Sequence, residues 1–417
     1  MMYNTSQRIF TRKNSPYGLE NHMKNWKRLL ALLLSGAMAL SLCACGSDDS
    51  AVSSGYTDAD ASEEVSADPE ASATPAIEAD LSQTALQFAA GLSPTDVMLT
   101  VNGDSVNADL FCYLLGQACG QTQQYMSYFG MNLSDMPDMA ADLLEQGVSL
   151  SIYHTIIRQK AAELGCLLTD GQAAEVKTAM DGADLERSAP LWDLTDEGAQ
   201  FIFEMNPYYE NLMNAVTHEP SAQELDEYVE SRGVFAVKHI LLSTVDQTTQ
   251  EPLSDEEIAG KKAKAEDLLA QLQAADDMPA KFDDLMNANS EDSGLQSNPD
   301  GYVFNEDDSL VGGFREAALA LKEGELSGIV ETDYGYHIML RLPLTDETKA
   351  GYGDEFRMDA LEAQMDQWIE AAEVTRADAL GTLNAVEFYT RLAAYQQALY
   401  EQQNPPESAP VESGGVG

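Results

Sequence analysis

The sequence predicts an α+β protein, with a mixed strand-and-helix segment at residues 233–345 inserted in a mostly α-helical body. Two short runs of β-branched, aromatic and aliphatic residues bound that segment, residues 234–242 and 336–340, and their length suits strands. On either side, apolar residues recur at helical spacing instead: Leu110, Leu114 and Ala118 before it, and Met358, Leu361, Met365, Trp368 and Ile369 after it. At 417 residues the chain is also too long for one ordinary core.

In chain order, Lys24, Lys27 and Arg28 precede an apolar run at residues 29–42. That run is too short to span a bilayer as a helix but has the length of a signal-peptide core. It ends in Leu42, Cys43, Ala44, Cys45 and Gly46, which resembles a lipoprotein signal box, and the resemblance makes Cys45 the lipid-bearing residue. Residues 1–45 are therefore expected to be a signal region. Met23 is a natural start, and residues 1–22 have the look of an over-extended reading frame. Residues 46–80 are mostly Ser, Ala, Asp and Glu, and residues 404–417 are similarly poor in large apolar side chains. Such composition cannot bury enough surface to offset chain entropy, so a flexible acidic tether and a disordered tail are expected. The net charge of -47 argues against nucleic acid or anionic lipid as the main partner.

Residues 81–232 form the first helical zone. A short strand and turn is expected at residues 97–104, then a helix carrying Leu110, Leu114 and Ala118. A second helix carries Leu143, Val148, Ile152 and Ile156. Thr169 with Gln172 and Ser221 with Glu224 have capping-box spacing, so helices should begin near Asp170 and Ala222. Cys112 and Cys119 share a helix face and read as small buried hydrophobes, and with Cys166 they make an odd set with no metal-ligand spacing. Two clusters, Tyr125, Met126, Tyr128, Phe129 and Met131, then Phe201, Phe203, Met205, Tyr208 and Tyr209, suit either the body's core or an adaptable surface for unfolded chains. Residues 346–403 are read as helical again.

Within residues 233–345, Ser254 and Glu257 cap a helix, Phe282 and Leu285 belong to another, and Phe314 opens a third. The order of "KHILL" at residues 238–242, "NSED" at 289–292 and "FREAALALKEGELSGIVETDYGYHIMLRL" from Phe314 resembles the parvulin family of peptidyl-prolyl isomerases over roughly a quarter of the chain. The resemblance implies a four-stranded antiparallel sheet with surrounding helices. It places the family's two core histidines on His239 and His337, its Cys-or-Asp position on Asp292, and its Ser-or-Tyr position on Tyr334. The apolar pocket for proline falls on Leu310 and Phe314, with Phe304 beside them. The family's usual glycine-rich loop is replaced by Asn298, Pro299, Asp300, Gly301 and Tyr302. The strand and turn at residues 97–104 resembles the start of the parvulin-type chaperones SurA and PrsA, in which C-terminal helices return to complete the N-terminal domain.

Elementary chemistry agrees with an isomerase. Rotation about an X-Pro bond crosses about 18–20 kcal/mol and takes tens of seconds or more unassisted. The twisted amide is less dipolar than the planar one, so a dry apolar pocket favours it differentially. Neither cofactor nor metal is required: two histidines without a nearby cysteine make a poor zinc site, and no Gly-x-Ser-x-Gly or P-loop pattern occurs. The loop after the first strand lacks Lys and Arg, which disfavours phosphate reading. The expectation is a lipid-anchored isomerase and folding chaperone on the extracytoplasmic face of the membrane, acting on unfolded exported proteins. A catalytically inactive parvulin-fold holdase or assembly scaffold is the alternative.

Overall fold

The computed structural model describes residues 77–404, apart from Gln247, Gln250, Glu306 and Asp307. The signal region, Cys45, most of the tether and residues 405–417 lie outside the described residues. No described helix is long and apolar enough to cross a membrane.

The chain runs α1 (Ala85–Ala90), β1 (Val97–Val101), β2 (Asp104–Asn107), α2 (Ala108–Tyr128), α3 (Ala140–Leu164), α4 (Asp170–Gly182), α5 (Leu185–Ser188) and α6 (Asp196–Val216). Then come α7 (Ala222–Ser231), β3 (Phe235–Ser243), α8 (Asp255–Gln273), α9 (Met278–Asn289), β4 (Tyr302–Phe304) and α10 (Gly312–Ala320). It finishes with β5 (Val330–Thr332), β6 (Gly335–Leu342), α11 (Asp346–Ala350), α12 (Gly353–Glu370), β7 (Val374–Arg376) and α13 (Ala385–Gln403). This is the predicted α+β class, divided into two compact units. One is residues 218–360; the other combines the chain before it with the chain after it.

The discontinuous unit is helical around a small antiparallel sheet ordered β2-β1-β7. Its core joins Phe111, Leu115, Leu143, Ile156 and Ile157 to Leu361, Met365, Phe388 and Leu392, so segments far apart in sequence bury one another's apolar faces. Helix α4 of this unit and α7 of the inserted one begin at Asp170 and Ala222 with both capping boxes formed. Cys112 and Cys119 are buried free thiols, and burial pushes the Cys119 thiol up to about 12. The two aromatic clusters part company. Phe201, Met205 and Tyr209 lie in the core, whereas Tyr125, Tyr128, Phe129 and Met131 are exposed.

Residues 346–403 are not helical throughout, as the apolar stripe had suggested. Strand β7 interrupts them and pairs with β1 through Leu99↔Arg376, Thr100↔Thr375 and Val101↔Val374. The reason is non-local. Strand β1 has β2 on one side only, and its other edge needs backbone partners that a helix cannot give. Val374 and Thr375 are β-branched and suit the edge.

The inserted unit holds a four-stranded antiparallel sheet ordered β4-β3-β6-β5. Side chains alternate across it. Ile240, Leu242, Ile338 and Leu340 face Leu268, Leu272, Phe282 and Leu285 of α8 and α9. Val237 and Met339 belong to the opposite core, with Phe314 and Ala318 of α10. His239 is two residues from Val237 and His337 two from Met339, so both histidines fall on the α10 face. The register Leu241↔His337 and His239↔Met339 makes them diagonal neighbours on adjacent strands.

Candidate active site

Beneath this face Phe314 is buried, with its ring edge-on to both imidazoles at 5.2 Å from His239 and 5.3 Å from His337. Phe304 lies 6.1 Å from Phe314, also edge-on to it. Leu310 and Val330 pack partly buried against the same cluster. The result is an apolar, largely aromatic wall beneath two stacked imidazoles, whose ring planes are 20° apart.

The polar atoms form one chain. His337 Nδ1 and His239 Nδ1 are 3.2 Å apart. His239 Nε2 is 3.2 Å from Asp292 Oδ2, and His337 Nε2 is 2.9 Å from Thr332 Oγ1. The Tyr302 hydroxyl donates to Asp292 Oδ2, and Asp292 Oδ1 accepts the Gly294 N–H at 3.2 Å. One proton assignment satisfies every link. His239 donates from Nε2 to Asp292 and accepts at Nδ1 from His337; His337 then accepts at Nε2 from the Thr332 hydroxyl.

The electrostatics suit that assignment. Burial above all, then the neighbouring His239, pushes His337 down to about 3, so it is neutral at ordinary pH. Burial opposes the charged form of Asp292, but hydrogen bonds from His239 and Tyr302 outweigh it and hold the carboxyl at about 2. Burial and the adjacent carboxylate push the Tyr302 phenol up, so it stays a donor.

Of the residues expected from the sequence, His239, His337, Asp292, Phe314, Phe304 and Leu310 are brought together. Tyr334 is placed differently: it stands exposed in the turn between β5 and β6, its N–H bonded to Thr332 Oγ1 at 3.2 Å. Two residues were missed. Thr332 was findable, because the turn at Asp333 and Tyr334 folds β5 back on β6 and brings it level with Gly335. Tyr302 reaches Asp292 from β4, and no spacing in the sequence announces that. Nor is Asp292 a helix cap, as its residue type alone would allow; its carboxylate is committed to the site.

Residues 226–340 match the PPIC-type PPIASE domain, and the inserted unit carries a parvulin-type domain. Foldase protein PrsA of Staphylococcus epidermidis is 34% identical over 104 residues, 24% of this chain and 30% of that protein. Cbf2 of Campylobacter jejuni is 27% identical over 159 residues, 36% of this chain and 52% of that protein. The chain thus spans about half or less of the length of the curated relatives it matches. Among solved structures, the peptidylprolyl isomerase PrsA from Bacillus cereus is 15% identical, covering 72% of this chain and 99% of that one, with a TM-score of 0.29.

Proposed function

We propose that the chain is a peptidyl-prolyl cis-trans isomerase and folding chaperone for unfolded or partly folded exported proteins, tethered by lipid on Cys45 to the extracytoplasmic face of the membrane. One observation carries the reading: Phe314 is buried directly against two histidines that share a hydrogen bond, with Asp292 on the outer nitrogen of His239. A pyrrolidine ring set on Phe314, between Leu310 and Phe304, leaves water. The amide twists out of conjugation and becomes less dipolar, so the apolar wall favours it over the planar ground state. The imidazole pair and the fixed Asp292 anion bias the field beside the carbonyl with no proton transferred and no bond made to the enzyme. His239 and His337 hold this field, Asp292 orients His239, and Tyr334 at the rim is left for contact with the residues around proline.

The body contributes a second surface. Tyr125, Tyr128, Phe129 and Met131 are exposed within seven residues of one another. Exposed aromatic and methionine side chains adapt to many unfolded sequences.

The test is a proline-peptide isomerisation assay on the full chain with two variants. Folded Phe314→Leu and His337→Gln are each expected to lose most of the turnover. Wild-type turnover in both, with unchanged circular dichroism, would remove the pocket assignment. A wild-type chain that suppresses aggregation but never isomerises would be a holdase. Cys45→Ala is expected to release the protein from membranes or leave an uncleaved precursor; normal processing with unchanged retention contradicts the tether.

A further inference from the structure

We infer that Tyr302 is a positioning residue, whose hydroxyl locks the Asp292 carboxylate in the orientation that fixes the tautomer of the histidine pair. The geometry is over-determined. Asp292 Oδ2 takes both the Tyr302 hydroxyl and His239 Nε2, while Oδ1 takes the Gly294 N–H. With both oxygens engaged the carboxylate cannot rotate without breaking a bond. The tyrosine is itself held on several sides. Its ring stacks on Phe304 at 5.6 Å and 11°, and stands edge-on to His239 at 5.6 Å and 62°. Its backbone pairs with Val237.

The chain is shaped to allow the contact. A methyl group at Gly294 would collide with the Tyr302 hydroxyl, so the glycine leaves the space the phenol occupies. Gly301, at φ 103°, lets the turn bring β4 against β3, where a Cβ would lie 2.8 Å from the Val237 carbonyl oxygen. Both features lie in or beside the stretch where the sequence departs from the glycine-rich loop of its family. The substituted loop therefore supplies a hydroxyl to the half-buried carboxylate.

The titratable groups facing Asp292 are His239 on β3, His337 on β6 and Tyr302 on β4. With the phenol donor removed, the carboxylate keeps only His239 and one backbone N–H. It can turn, and His239 is free to exchange tautomers.

The catalytic consequence rests on the isomerase reading, but the positioning can be read without turnover. In full-length protein, the Asp292 carboxyl carbon and the imidazole nitrogens are followed by NMR against pH, in wild type, Tyr302→Phe and Gly294→Ala. The Asp292 midpoint is expected to rise by about one pH unit in both variants, because one donor to the charged form is lost. The imidazole nitrogens should move from one tautomer to a mixture, and kcat should fall with KM little changed. Gly294→Ala keeps the tyrosine ring, so it carries the test should Tyr302→Phe fail to fold. Wild-type midpoints and imidazole shifts in a folded variant lacking the phenol contact would overturn the assignment. A chain without isomerase activity in which the midpoints still move would leave the positioning intact and remove the isomerase reading instead.

Discussion

Burying a histidine without a countercharge makes the folded state refuse a proton that the unfolded chain accepts. His154 in α3 and His337 in β6 both do this. Burial alone takes His154 down to about 4, and its Nδ1 has no hydrogen-bond partner. Above the unfolded value near 6.5 neither state carries the proton, and the group costs no charge burial. As pH falls from about 6.5 towards 4 the unfolded state gains a proton first, so stability is lost across that window, by about 3 kcal/mol for His154. His154→Leu removes both this term and an unsatisfied nitrogen. Its melting temperature should exceed that of wild type by more at pH 5 than at pH 7.5; equal differences at the two pH values would contradict the burial account. At Phe314 the issue is volume. Phe314→Ala should destabilise by about 3–5 kcal/mol, as emptying a buried ring site does, so activity lost in that variant must be read against folded protein in a denaturant titration.

Elements differ in how openly the sequence declares them. Ser254 and Glu257, Thr169 and Gln172, and Ser221 and Glu224 announce three helix starts because a capping box is local chemistry, complete within four residues. Ser254→Ala should therefore cost about 1 kcal/mol in chemical denaturation of the inserted unit, and no measurable loss would mean the box is not formed in solution. Strand β7 shows the opposite case. Its three residues carry no period, and only β1, more than 270 residues earlier, makes them a strand. The site divides in the same way. His239, Asp292, Phe314 and His337 stood out through motif order, whereas Tyr302 and Thr332 reach the site by pairing across strands. The β5–β6 hairpin is the most exacting element. Gly335 has φ 140°, and a Cβ there would strike the Leu242 carbonyl oxygen. Gly335→Ala should displace Thr332 from His337 and lower both stability and turnover; a variant with wild-type imidazole shifts would show that the hairpin has slack.

At the scale of the whole molecule, each unit carries its own core. The buried apolar residues of the inserted sheet, Ala236 apart, lie in clusters formed within residues 218–360, and the body's cluster draws on residues from both sides of them. Replacing residues 218–360 by a short flexible linker should leave a folded body that still suppresses aggregation of an unfolded client and has no isomerase activity. A deletion variant folded by circular dichroism that protects no client would reduce the body to a spacer.

On the proposed reading, the aromatic wall under the histidine pair turns over X-Pro bonds. Cis-trans exchange of a proline peptide, measured by NMR in the presence of the full chain and of its folded Phe314→Leu variant, tests this. Exchange far above the spontaneous rate with wild type, and close to that rate with Phe314→Leu, is the expected result. Spontaneous exchange with both proteins, or equal acceleration by both, would contradict it.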